Sequence, residues 1–359
     1  MKKRIIFHLP LKIDPNRYSA SQIRPIKMLQ AFESIGYDVD VVMGYANERK
    51  ASIKRIKKNI EDGVKYDFMY SESSTMPTLL TERHHYPTHP FLDFNFFKFC
   101  KNNGIKIGLF YRDIYWCFPE NIVSWKNKVA KYFYHYDLQM YNKYIDVLFV
   151  PSVKMVKYLP VTLNLSIIGL PSGATLKFFP NNESNDKIIN MIYVGGFGKG
   201  YEMETLFKVI KNIPSIKLTI CCREDDWNMV KETYEPLLSS NISIIHKHGE
   251  DLERLYGSVD LCSLFVEPSI YRTFAMPFKL IEYIGHGCPV LASQGTLAAD
   301  YITENKVGVV AKYDCDSLSD VLSSLTKKEI KKLKHTTREF ALTQTWNERA
   351  RTVVHSLTV

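Results

Sequence analysis

Residues 189–206 read INMIYVGGFGKGYEMETL. A mostly apolar run comes first, then glycines at 195, 196 and 198, a lysine, and the opening of a helical period. Strand, glycine-rich turn and helix in that order leave backbone N–H groups pointing at an anion. The spacing GGFGKG is neither a P-loop nor the GxGxxG dinucleotide fingerprint. Taken alone, the turn equally fits a flexible strand-to-helix connection with a solvated lysine.

Its surroundings narrow the choice. Upstream, residues 170–186 (LPSGATLKFFPNNESND) have the Pro, Gly, Asn and Ser content of a linker. Downstream, apolar runs at 216–221, 242–245, 261–265 and 290–292 alternate with helical stretches near 252–256 and at 278–284. The same alternation precedes the linker, with runs at 5–8, 39–43, 66–70, 105–110 and 147–150. The helix after the first run carries Ile23, Ile26, Leu29 and Phe32 at spacings of three, and Gly36 ends it. Such alternation predicts an α/β architecture with parallel strands, and the restart after the linker predicts a second doubly wound domain. A chain of 359 residues exceeds one ordinary core, which agrees.

Composition sets outer limits. Hydrophobic residues make up 45% and charged residues 24%, the balance of a globular chain. No apolar run approaches the roughly 18–20 residues that span a bilayer. The start, MKKRIIFHLPLKID, has too short an apolar run for a signal peptide, so it reads as a buried strand and the protein as cytoplasmic. Seven cysteines without CxxC spacing, two of them adjacent at 221 and 222, suit reduced thiols. The pairs His84/His85 and His246/His248 are poor metal ligands, and no metal is expected. A formal charge of +9 permits anionic partners. No nucleic-acid-reading motif is present, so nucleic acid is not among those expected.

A second constellation lies at 277–293, PFKLIEYIGHGCPVLAS. Pro277 suits a helix start, Gly285 and Gly287 its end, and Pro289 the opening of a strand. Lys279 and Glu282 are three apart and project from one face of the short helix. A carboxylate there takes both hydroxyls of a ribose while the ammonium meets a phosphate. The competing reading is an ordinary surface ion pair.

The order LPSGA, YVGGFGKG, DLERLYGSVDLCSLFVEP, PFKLIEYIGHGCPVLAS and a final TQTWNERA resembles the GT-B glycosyltransferases, closest in character to the retaining group called family 4. The resemblance covers the chain from about residue 170 to its end, and the first half only in outline. It implies two facing Rossmann-like domains with a deep interdomain cleft. An acceptor domain would occupy residues 1–168 and a donor domain residues 187–339. A last helix at about 340–359, around Trp346, would return onto the first domain. It also implies roles. Glu282 matches the glutamate that binds the donor ribose, and Lys199 a basic residue on the donor diphosphate beside Gly195, Gly196 and Gly198. Lys279 sits where relatives place a second basic residue, with Leu280 next to it, and Gly295 and Thr296 fall near the donor sugar. Two departures stand out. Relatives often carry a first glutamate where this chain has Phe274, and an arginine before the KG that is absent here, leaving Arg272 as a candidate for its charge.

The acceptor side of such a fold is built from loops at strand carboxyl ends. SESSTMP (71–77) offers Glu72 and hydroxyls, and YRDIYW (111–116) offers Arg112, Asp113 and the rings of Tyr115 and Trp116 as stacking surfaces for sugars. Ser19, Ser21 and Arg24 line a further loop. Asp113 would be a general base in an inverting reaction and an orienting group in a retaining one; the competing reading is a local Arg112–Asp113 ion pair. Lys199 and Lys279, with Asp113, form the expected catalytic set. Residues 47–60 carry six basic side chains and one acidic one, and 125–144 interleaves lysines with aromatics. Either suits peripheral contact with an anionic membrane. The expected function is metal-independent, cofactor-free transfer of a hexose from a nucleotide sugar to a glycan or polyprenyl-diphosphate-linked saccharide in bacterial surface polysaccharide assembly. A sugar-nucleotide epimerase of the same fold and a nonenzymatic homologue are the alternatives.

Overall fold

The computed structural model describes residues 3–14, 19–119, 122, 124–180, 187–198 and 200–359. The chain divides into two compact units, residues 1–172 with 346–359, and residues 173–345.

The first unit is a six-stranded parallel sheet in the order β2-β1-β3-β4-β5-β6. Its strands are β1 (Arg4–Leu9), β2 (Asp38–Met43), β3 (Phe68–Glu72), β4 (Lys106–Phe110), β5 (Val147–Val150) and β6 (Ser166–Gly169). β1, β3, β4 and β5 are largely buried and mostly apolar, which is why they are legible as runs. β3 begins two residues later than the run at 66–70 suggests and extends through Glu72. That carboxylate belongs to a strand end, not to the loop after it. The helices between strands are α1 (Ala20–Ser34), α2 (Ala46–Glu61), α3 (Leu92–Asn102) and α4 (Trp125–Tyr144). Right-handed crossovers put α1 on one face and α2, α3 and α4 on the other. α2 packs on α3 and α3 on α4, while α1 packs on the final helix of the chain, α12 (Trp346–Thr358).

The second unit has the strand order β12-β11-β10-β7-β8-β9, again parallel. β7 (Ile189–Val194), β8 (Ile216–Cys221), β9 (Ile242–Ile245), β10 (Leu261–Leu264) and β11 (Val290–Ser293) fall on the runs read from sequence. The chain adds β12 (Gly308–Ala311) beyond them. From β7 the chain builds outward to β9, then returns past its start to lay β10 on the other side of β7. Ligands bind outside the carboxyl ends of strands at such a reversal. The helices are α5 (Glu204–Ile210), α6 (Glu224–Tyr234), α7 (Gly249–Leu255), α8 (Phe278–Gly285), α9 (Leu297–Asn305), α10 (Cys315–Ser324) and α11 (Lys327–Leu342). Part of the linker-like segment is anchored in this unit: Ala174 N–H donates to the Gln344 carbonyl at 2.7 Å and Lys177 N–H to that of Gly285 at 3.0 Å.

Candidate functional site

In the second unit the reversal lies between β7 and β10, and the loops leaving both strands meet there. After Val194 the chain keeps pairing for one residue, with Gly195 N–H donating to the Cys221 carbonyl at 3.1 Å. Phe197 then turns inward and packs between Tyr234 and Trp227, its ring 4.5 Å and 5.9 Å from theirs. This buried ring anchors the loop, while Gly198 and Gly200, at φ +109° and +81°, carry the backbone through a conformation few side chains tolerate. The turn closes with Tyr201 N–H donating to the Gly198 carbonyl at 2.7 Å. The Tyr193 hydroxyl donates to the Gly196 carbonyl at 2.7 Å. Lys199 lies outside the described residues.

From the β10 side, a short turn at Tyr271–Thr273 brings Arg272 onto this loop. Its guanidinium donates to the Gly200 carbonyl and lies 5.2 Å over the Tyr201 ring. Phe274, where relatives often carry glutamate, is 1% exposed and packs edge-on against Tyr271. The sequence departure is thus filled by a core side chain.

α8 starts next. Leu280, Ile281, Tyr283 and Ile284 form its buried face. Leu280 is completely buried, so its side chain belongs to the core and offers nothing to a ligand, against the sequence expectation. Lys279 and Glu282 stand on the half-exposed face, the ammonium 2.9 Å from each carboxylate oxygen. A contact with no signal in the local sequence aligns them. The Tyr283 hydroxyl accepts from Val194 N–H at 2.9 Å, which bolts α8 to the last residue of β7. Burial holds that phenol well above its usual range, so it stays protonated. Burial raises the Cys221 thiol, while its bond to the Lys247 carbonyl and the charges of Lys279 and Lys247 oppose that rise. Lys247 was another residue that carried no signal in sequence.

At the end of β11, Gly295 leads into Thr296, whose hydroxyl caps α9 by accepting from Ala299 N–H at 3.2 Å and donates to the Ser293 carbonyl at 2.8 Å. With both bonds made and 4% exposed, that hydroxyl is committed to the cap. A sugar near it would meet backbone rather than the Thr296 side chain. The structure therefore gathers Gly195, Gly196, Gly198, Arg272, Lys279 and Glu282 around the reversal. Besides Glu282, the Glu202 carboxylate also stands at this loop, accepting from Gly200 N–H at 2.7 Å.

In the first unit the sequence-selected residues gather at the carboxyl ends of β3 and β4, in roles partly unlike those expected. Glu72 is fully buried; it accepts from the Tyr70 hydroxyl at 2.9 Å and Arg112 at 3.0 Å, with Arg24 at 3.3 Å. Arg24 lies face-on, 3.5 Å from the Phe110 ring centroid. Two guanidiniums share one carboxylate, and Glu72 is an internal counter-ion and not a ligand contact. Arg112 also donates to the Ser73 and Ala20 carbonyls, both at 3.3 Å, tying the β3 and β4 loops to the start of α1. Its ion-pair partner is Glu72 across the sheet. Asp113 instead accepts from the Ile114 and Tyr115 N–H groups at 2.6 and 3.1 Å. Trp116, expected as a sugar platform, is 2% exposed. Its ring already stacks on Tyr134 at 4.8 Å and its N–H donates to the Tyr111 hydroxyl at 2.9 Å. Ser21 is half-buried, its hydroxyl 2.9 Å from that of Ser19.

One buried network escaped the sequence reading. The His8 ring contacts the Ser71 hydroxyl at 2.8 Å and Asp93 at 2.9 Å, and Arg49 grips Asp93 with two bonds of 2.9 and 3.0 Å. Burial keeps the imidazole below its usual range, hence neutral. With His8 at 1% and Ser71 at 1% exposed, this Ser–His–Asp arrangement has no access to substrate and serves the core. A histidine inside an apolar run gives no hint of partners 63 and 85 residues away.

Comparison with known proteins agrees with this geometry. The family described as "Glycosyl transferases group 1" matches residues 175–343. No curated protein matches the chain in sequence. Solved structures match it over nearly its whole length. Sucrose-phosphate synthase from Thermosynechococcus elongatus is 14% identical at a TM-score of 0.65, covering 99% of this chain and 98% of that one. Anabaena HepE in complex with UDP-glucose is 11% identical at 0.62, covering 99% of both chains. A glycosyltransferase from Rickettsia africae is 14% identical at 0.61, covering 99% and 98%. At these identities the likeness shows the shared fold, GT-B.

Proposed function

We propose that the chain, whose residues 175–343 match the group 1 glycosyltransferases, transfers a hexose from a nucleoside-diphosphate sugar. The observation that carries the reading is the pairing of Lys279 with Glu282 on the open face of α8, bolted by Tyr283 to the strand that feeds the glycine loop. Glu282 would take the ribose hydroxyls. Lys279, Arg272 and Lys199 would take the charge that grows on the departing diphosphate, the main electrostatic task in such a reaction. HepE, with UDP-glucose in its structure, supports a uridine diphosphate donor here. The proposal assigns the diphosphate's charge to these cationic side chains and assigns no metal.

The acceptor is assigned to the first unit, where Arg112, Asp113 and Ser21 stand near strand carboxyl ends. We take it to be a glycan or lipid-linked saccharide, with retention at the anomeric carbon, in surface polysaccharide assembly at the inner face of a plasma membrane. Retention asks no protein base of Asp113, in keeping with its two bonds to backbone N–H groups.

Thermal unfolding with UDP, GDP, dTDP, CMP and their sugar conjugates tests the donor site. One diphosphate should raise the midpoint, since a ligand bound only by the folded state stabilises it. Glu282→Ala should abolish that rise. Folded wild-type protein that responds to none of them would overturn the donor assignment and favour a homologue without enzymatic activity.

A further inference from the structure

We propose that the first half of α4 is a membrane-docking element that seats the first unit on an anionic bilayer. α4 carries two apolar stripes. Ala130, Tyr134, Leu138 and Tyr141 are buried against the unit. On the opposite side, at spacings of four and then three residues, Trp125, Val129 and Tyr132 are 70%, 44% and 78% exposed. Ser124 caps the helix by accepting from Asn127 N–H at 3.2 Å, so helical spacing already holds at Trp125. A solvent-facing helix side ordinarily carries polar residues. Adjoining exposed aromatics instead mark a contact surface.

The charge around the stripe selects the occupant. Lys126, Lys128 and Lys131 flank it, and residues 124–136 contain no Asp or Glu. The first acid, Asp137, is buried. Lysines of one sign beside Trp and Tyr form an interfacial helix, whose rings settle at headgroup depth while the ammonium groups meet anionic lipid. A protein partner would more often be met by mixed charge and a polar rim.

The same helical layer repeats the chemistry at a second place. α2 lies on that face of the sheet and exposes Lys50, Lys54, Arg55 and Lys58. Between α2 and the start of α3 runs a depression of about 330 Å³ lined by Ile53, Lys57 and Phe91 among others, and Phe91 is 65% exposed. Two spots on one layer thus each join an exposed aromatic to lysines. The inference sharpens the membrane placement just proposed, yet depends on no step of the transfer reaction.

Flotation of the full chain with phosphatidylcholine vesicles, with and without phosphatidylglycerol, tests it. The protein should bind only the phosphatidylglycerol vesicles, and salt should weaken that binding. Trp125→Ser with Tyr132→Ser should lower the partition coefficient about tenfold. Lys126→Gln, Lys128→Gln and Lys131→Gln together should lower it about a hundredfold. Both variants should keep the wild-type unfolding midpoint and its response to nucleotide, which separates this proposal from the donor assignment. Wild-type binding by either variant, or no preference for anionic lipid, would overturn it. So would self-association of the wild type that Trp125→Ser abolishes, which would give the stripe to a second copy of the chain.

Discussion

Arg272 donates to a neutral carbonyl, that of Gly200, and rests over a tyrosine ring. Neither partner cancels its charge. A guanidinium so placed beside a glycine loop is available to a phosphate, which binds its planar fork better than it binds an ammonium. Arg272→Ala should therefore weaken nucleoside-diphosphate binding about tenfold to a hundredfold by calorimetry, the worth of one or two charge-assisted bonds. Arg272→Lys should recover only part of it. An unchanged affinity in Arg272→Ala would remove this residue from the donor site. The sequence raised Arg272 only as a stand-in for an absent arginine, because 72 residues separate it from the loop it touches. Lys279 and Glu282 were legible for the opposite reason: three positions on one helix fix their proximity before any tertiary contact forms. Trp116 was misread because aromatic content says nothing about whether a ring is already stacked.

At the scale of elements, legibility followed burial. Strands covered on both faces, such as β5 and β7, stand out as apolar runs. β6 and β12 did not, since each lies at a sheet edge with mostly half-buried or exposed residues and leaves no clear period. The docking of α12 on β4 shows how tightly an element is placed. A side-chain carbon at Gly108 would lie 2.7 Å from the Phe149 ring and 2.8 Å from Leu357 on α12. Gly108→Ala should thus cost about 1–3 kcal/mol of unfolding free energy, the range for overpacking a filled core. Denaturant titration checks it, and adding Leu357→Ala should return part of the loss. If Gly108→Ala unfolds like the wild type, α12 yields more readily than this packing implies.

Over the whole molecule, buried titratable groups make stability depend on pH. Burial pushes the Asp137 carboxyl up to about 7, against the Thr78 backbone N–H that donates to it at 2.7 Å. Its other oxygen has no hydrogen-bond partner among the described residues, as suits a protonated acid. The folded protein therefore holds a proton that the unfolded chain releases near the ordinary Asp value. Its stabilising effect is complete below about pH 4 and lost as pH rises through about 7. His8 acts in the opposite sense: neutral in the fold, it favours the unfolded state once pH falls below the ordinary histidine value. Asp137→Asn removes one of these two slopes. Its unfolding midpoint relative to wild type should rise between pH 5 and pH 8, and a constant difference would mean that Asp137 is ionised in the fold.

The parallel α/β architecture, the restart of the pattern in a second half, and the face shared by Lys279 and Glu282 are written in the local order of residues. Each depends on local periodicity, which the backbone geometry of strands and helices imposes on neighbouring residues. Tertiary structure alone decided that Glu72 is a buried counter-ion for two arginines, that Leu280 and Trp116 are packing, that Arg272 meets the glycine loop, and that the exposed stripe of α4 shares a layer with the lysines of α2. Those facts depend on contacts between residues far apart in the chain, and burial and charge compensation are set by what the fold brings alongside, which no local pattern records.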